Sequence, residues 1–235
     1  MKILGLDSSG MTASVAVVED DLLVAEYSVN YKKTHSQTLV PMLNEIAKMT
    51  ELDMESLDAI AIAKGPGSFT GLRIGSATAK GLGFALNKPI VEISTTEGLA
   101  YNMFGTNRLI CPIMDARREQ VYMGLYEFEN DTLKTIVAAT AEPVEDTINR
   151  INAMNRPVIF LGDGVKVFKN KLDELLTVPV IYAPAGKNMQ SAASIATLGL
   201  IALKKGKAIP ASEHVPDYLR LSQAERERNE AANAD

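Results

Sequence analysis

Two segments of the chain set out the same order of elements, and that repetition restricts the fold more than any other feature. KILGLDSSGMTASVAVVEDDLLVAEYSV reads as strand, polar turn carrying an Asp, long strand, acidic turn, strand. LICPIMDARREQVYMGLYEFENDTLKTIVA, which begins at Leu109, reads the same way. Asp7 closes the first strand and Asp115 closes its counterpart. The next strands begin near Ala13 and Gln120, and both run into short acidic turns, Glu19-Asp20-Asp21 and Glu129-Asn130-Asp131. Such turns favour tight hairpins. The side chains of the two copies hardly match, so the repeat is one of architecture.

Between the copies the periodicity changes. Thr34 or Ser36 is placed to cap a helix running to about Thr50, with Leu39, Met42, Leu43, Ile46 and Met49 at helical spacing and Pro41 marking a late start or a bend. A strand AIAIA follows, then Gly65-Pro66-Gly67, a helix from about Thr70 to Leu86, and the strand PIVEI. Strand-helix-strand of this length is a parallel crossover. After the second hairpin copy, PVIFLGDG supplies a further strand. The pattern predicts an α/β chain of two lobes, each with a mixed sheet that opens in an antiparallel hairpin. Residues 1–106 form the first lobe and 107–205 a smaller second one, whose last helix is placed to pack back on the first. Residues 206–235 form a C-terminal segment, expected to be disordered beyond about residue 220 because LSQAERERNEAANAD is nearly without apolar material.

Composition limits the function. With 46% hydrophobic residues the chain can build real cores, and a net charge of -5 disfavours direct binding to nucleic acid. The basic pairs Lys32-Lys33 and Lys204-Lys205 are too small to supply that. The single Cys111 lies in an apolar run and reads as a buried thiol. The run before Asp7 is too short for a signal peptide, and the apolar stretch near Ile195 to Leu203 falls short of a bilayer span, so a cytoplasmic location without membrane contact is expected.

The Gly-Pro-Gly turn invites two phosphate readings, and both fail. A Walker loop needs Gly-Lys followed by Ser or Thr, and the chain has no such tripeptide. A dinucleotide fingerprint needs its third glycine at position 70, which is Thr70; Gly71 comes one residue late. What stands out is a ridge at four-residue spacing, Gly71, Gly75, Ala79 and Gly83. Helical glycines are costly, and close approach of another backbone is the usual compensation. With Leu39, Leu43 and Ile46 on the preceding helix and His35 at its start, this ridge is expected to receive a helix of a partner protein. On that expectation, Gly75→Leu weakens association and leaves the chain folded.

GPGSFTGLRIG followed by ATAKGL resembles the signature of the TsaB (YeaZ) family, as do LDSS, THSQTLVPML and PDYLR. The resemblance spans roughly residues 1–220. It implies the actin/Hsp70/sugar-kinase fold with two ribonuclease-H-like lobes, in agreement with the duplicated hairpins. It also implies a non-catalytic subunit that helps make threonylcarbamoyladenosine beside the tRNA anticodon. The expected partners are the catalytic subunit TsaD and, with it, the ATPase TsaE; tRNA is met through the complex. A homodimer is the expected alternative when the chain is alone. In the related catalytic subunit the strand after the glycine helix leads to a metal-binding His-x-x-x-His pair. The matching positions here are Thr95 and Leu99, neither a metal ligand. The only histidines, His35 and His214, are far apart in sequence.

In that superfamily phosphates lie between the Asp-bearing hairpins, which would place Asp7, Ser8, Ser9 and Asp115 along a vestigial or shared phosphate cleft. Arg117, Arg118 and Glu119 crowd the second hairpin's side of it. Gly162-Asp163-Gly164 reads as a tight turn or an adenosine-side turn. No cofactor is expected for the isolated chain, with ATP or ADP reserved for a joint site in the complex. The competing reading is an enzyme of the same superfamily, a divergent small-molecule kinase or a metallopeptidase.

Overall fold

The structure, a computed structural model, describes residues 1–31 and 34–220. Lys32, Lys33 and the tail for which composition predicts disorder lie outside the described residues.

The first hairpin is built from β1 (Lys2–Asp7), β2 (Ala13–Glu19) and β3 (Leu22–Val29). Helix α1 (His35–Met49), β4 (Ala59–Gly65), α2 (Phe69–Leu86) and β5 (Ile90–Ser94) follow. A short α3 (Thr95–Tyr101) leads to the second hairpin, β6 (Leu109–Asp115), β7 (Gln120–Glu129) and β8 (Thr132–Pro143). Next come α4 (Val144–Met154), β9 (Val158–Leu161), α5 (Gly164–Leu175) and β10 (Val180–Tyr182). Helix α6 (Ala192–Lys204) and the two-residue β11 (Ala208–Ile209) complete the order.

One sheet has the strand order β11-β5-β4-β1-β2-β3 and the other β10-β9-β6-β7-β8. Apart from β11, the two orders are the same. In each, the hairpin pairs are antiparallel and the later strands join in parallel, except β11, which pairs antiparallel with β5. Turn chemistry sets the hairpins. Asn130 and Asp131 take left-handed backbone, φ 48° and 60°, between the paired Glu129 and Thr132, which is the type I′ geometry that matches strand twist.

Strand alternation gives each sheet two apolar faces. On the first sheet, Leu4, Leu6, Val15, Val17, Ile60 and Ile62 meet Leu39, Met42, Leu43 and Ile46 of α1, with Ala79 of α2 in the same core. The opposite face, with Ile3, Ala61 and Val91, is covered by Ile195, Ala196 and Leu200 of α6. Helix α6 therefore follows the whole second sheet in sequence yet packs on the first. The second sheet buries Cys111, Ile113 and Met123 under α4 and α5, and its other face receives Leu99, Ala100 and Met103 of the α3 region. Burial pushes the Cys111 thiol far above its ordinary range.

The burial of α1 corrects the sequence reading. Leu39, Leu43 and Ile46 are each at most 5% exposed and serve the chain's own core. The helical spacing is real, but it reports the inward face. Outward, α1 presents Val40, 55% exposed, and Met49, 84% exposed.

Candidate functional site

The turn after β1 is closed over by α2. Asp7 accepts hydrogen bonds from the Ser9 amide (2.9 Å) and the Ser9 hydroxyl (2.6 Å), and Ser8 Oγ donates to the Gly71 carbonyl at 2.8 Å. The Ser68 amide donates to the Ser9 carbonyl at 2.7 Å. Asp7, Ser8 and Ser9 are all essentially without exposed surface. Burial raises the Asp7 carboxyl to about 6, against the two Ser9 hydrogen bonds that pull it down.

Glycines make this approach possible. A Cβ on Gly67 would overlap the Ser9 carbonyl, one on Gly71 the Ser8 carbonyl, and one on Gly75 the Ser8 hydroxyl. Further along, a Cβ on Gly83 would come within 2.7 Å of the Ala211 methyl, while Ala79 is fully buried. The ridge Gly71, Gly75, Ala79, Gly83 is thus spent inside the molecule and is not the surface expected to receive a partner. Gly65 takes a positive φ of 127°, as such a turn requires; Gly67 does not, and its role is steric.

Helix α2 carries a second four-residue series, Ala77, Gly81 and Ala85, about 200° round from the first. It is exposed, with Arg73 before it and Phe84, 63% exposed, beside it. A Cβ on Gly81 would meet nothing within 4 Å. The spacing of small residues cannot tell the two stripes apart. Arg73 could have done so, because a charge one turn before Ala77 marks the solvent side.

Between the lobes lies a cleft of about 990 Å³. Its walls include His35, Phe69 and the α2 N-terminus from the first lobe, and Asp115, Arg117, Tyr122, Asp163 and Lys166 from the second. Of the four residues expected to form a phosphate cleft, Ser9 and Asp115 border it, and Asp115 alone presents exposed surface. Asp115 accepts the Arg117 amide at 2.8 Å and faces the Arg117 guanidinium at 3.4 Å. Burial holds the Asp163 carboxyl above its ordinary range and the Asp115 charge adds to this, against backbone hydrogen bonds at Asp115, Asp163 and Gly164 that pull it down. Gly162, at φ 101°, and Gly164 lie so close to Ile113 that a Cβ on either would crowd its backbone, which accounts for the tight turn. Asp7 and Ser8 are sealed away from this cleft, while Ser9, Gly67 and Ser68 remain on its first-lobe wall.

His35 sits at this cleft rather than on an outer helix face, with Nε2 at 2.8 Å from the Gly10 carbonyl. His214 is buried and lies 2.7 Å from Glu92 through Nδ1. Thr95 and Leu99 are buried on α3. Among the described residues, no three of His, Cys, Asp or Glu gather as a metal site, and no helix is long and apolar enough to cross a membrane.

The model of the family described as "TsaD: tRNA N6-adenosine threonylcarbamoyltransferase" matches residues 23–228. A Bacillus subtilis protein named tRNA threonylcarbamoyladenosine biosynthesis protein TsaB is 36% identical over 96% of both chains. YeaZ from Pseudomonas aeruginosa superimposes with a TM-score of 0.79 at 25% identity, covering 93% of this chain and 99% of that one. Component A of the (R)-2-hydroxyglutaryl-CoA dehydratase of Acidaminococcus fermentans, at TM-score 0.51 and 12% identity over 91% of this chain and all of that one, shares the fold alone. The two matching sheets are those of the actin/Hsp70/sugar-kinase fold.

Proposed function

The chain belongs to the TsaB family, and from that membership we propose that it serves tRNA threonylcarbamoyladenosine biosynthesis as a binding subunit and not as the catalyst. Its role in that pathway rests on the relatives; its role as a subunit rests on the outward face of α1 and α2. There Val40, Met49 and Phe84 are more than half exposed, and Phe84 shares the exposed side of α2 with the small residues Ala77 and Gly81. Large apolar side chains next to open space on a helix pair suit helix-on-helix docking. The partner is the catalytic subunit TsaD, and through it the ATPase TsaE, with a homodimer when the chain is alone. tRNA is reached through the complex, and ATP or ADP belongs to a joint site.

Two observations favour a non-catalytic role. The turn from Asp7 to Ser9 is closed by the chain's own helix, which counts against a kinase. Thr95 and Leu99 offer no ligands for a peptidase metal. Titration calorimetry against TsaD tests the docking face. Phe84→Glu and Met49→Glu should each weaken binding more than tenfold, as loss of a central apolar contact does, about 1.4 kcal/mol or more. Val167→Glu, on an exposed site of the second lobe, should leave it unchanged. Unaltered affinity in both first-lobe variants would move the interface off these helices, and ATP turnover by the isolated chain would restore the kinase reading.

A further inference from the structure

The segment after β11 runs the length of α2, against the helix direction, and then crosses to the other lobe. Ala211 packs at Gly83, near the end of the helix. Lys80 Nζ donates to the Ser212 and His214 carbonyls, at 3.1 and 3.0 Å. The His214 ring is 1% exposed and is held by Glu92 of β5, whose other oxygen is 3.7 Å from Lys64 Nζ. The Asp217 amide donates to the Lys64 carbonyl at 2.7 Å, and the Asp217 carbonyl lies against Gly65, where a Cβ would overlap it. Tyr218 stacks on Phe69 with ring centroids 4.8 Å apart, at the first turn of α2. Arg220 then donates to the Ala116 carbonyl, in the turn that follows β6.

We propose that residues 210–220 are a tie that fixes the opening of the inter-lobe cleft and couples it to the position of α2. The lobes meet at α3, which packs on both sheets and does not border the cleft, and at the segment that crosses back before α6, where Asn188 accepts the Gly162 amide and the Ala192 amide donates to Ser14 Oγ. A joint of that kind leaves two lobes free to rock. The tie closes the open side: Asp217, Tyr218 and Arg220 lie on the cleft wall, and each is bonded or stacked to a different structural element. Its path also explains Gly65 and Gly83, two glycines whose missing side chains make room for this segment. Any change of cleft width must therefore move Phe69 and the start of α2, the helix whose outward face is the proposed docking surface. The tie stands on contacts within the chain and holds whether or not that face is an interface.

Pulsed dipolar spectroscopy on the full chain tests this. Spin labels at Glu45→Cys on α1 and Glu174→Cys on α5 report the lobe-to-lobe distance, and Cys111, being fully buried, takes no label. The parent should give one narrow distribution. Arg220→Ala combined with Tyr218→Ala should broaden it roughly twofold, as expected when a restraint across the cleft is removed. Amides of the first turn of α2 should exchange about tenfold faster, equivalent to about 1.4 kcal/mol of lost local stability. Val215→Ala, on the exposed side of the same segment, should change neither measurement. Calorimetry against TsaD, run on the same variants, reports separately on the docking face. A double variant that folds and keeps the parent's narrow distribution and slow exchange would overturn the tie. So would broadening of the same size in Val215→Ala.

Discussion

At the end of β1, the residues after Asp7 fold back under α2, hydrogen-bonded to one another and to the helix. At the end of β6, Ala116 is buried but Arg117, Arg118 and Glu119 stand open to solvent and take left-handed backbone at φ 65°, 55° and 58°. These are matching corners of matching sheets. What separates them is where the following crossover helix comes closest. Gly67, Gly71 and Gly75 let α2 settle on the turn itself, at Ser8 and Ser9. Gly162 and Gly164 bring the start of α5 against Ile113, two residues back inside the strand, so the helix does not close over the second turn. A fold that places two equivalent corners around a cleft need not keep both of them open.

The hardest blow to the covered corner is Gly71→Leu. Its first side-chain carbon would collide with a backbone carbonyl, which has no rotamer to give. The expected loss is about 3 kcal/mol, the upper end of ordinary overpacking, read from urea denaturation. This reverses the sequence-based expectation that leucine on this ridge leaves the chain folded; full stability in the variant would mean that α2 is not seated on the turn.

A gentler probe is pH. The folded value of Asp7, about 6, lies above its ordinary value of 3.8, so the fold prefers the neutral carboxyl. Its favourable contribution is complete below the unfolded value and is lost as pH rises through about 6. A shift of roughly two units corresponds to about 3 kcal/mol at most. Between pH 4 and pH 7 the parent should therefore lose stability relative to Asp7→Asn, which stays neutral throughout. Parallel denaturation curves for the two proteins at both pH values would argue that the corner is wet.

The smallest effect belongs to the open corner. Arg118→Gly removes a left-handed penalty of about 1–2 kcal/mol but adds chain entropy to the unfolded state, for a net gain of about 0.5–1 kcal/mol in thermal or urea melts. Destabilisation instead would mean that the Arg118 side chain holds the turn.

The hairpins, the crossover and the shared Asp corners were legible because they depend on alternation and on turn residues, which are local signals. Ala13 and Gln120 do begin their strands. The outward stripe of α2 was not legible from spacing, because two small-residue series share that helix. Leu39, Leu43 and Ile46 were readable as an apolar face, but an apolar face says nothing of whose core it enters. The contacts of the segment from 210 to 220 are made to residues more than a hundred positions earlier, and the same holds for Glu26, which accepts hydrogen bonds from Ser191 Oγ and the Ala193 amide at the start of α6. No local pattern announces such pairings.

That anchoring of α6 to Glu26 bears on how the chain is made. Ile3, Ala61 and Val91 have no apolar cover until Ile195, Ala196 and Leu200 have been added. A nascent chain emerging from the ribosome carries the first sheet half dressed through the synthesis of the whole second lobe. Contacts this distant in sequence close slowly, and the bare face is where chaperones or premature association would act. Maturation thus waits on the last fifth of the polypeptide, and a fragment that stops before α6 would expose strands made at the very start.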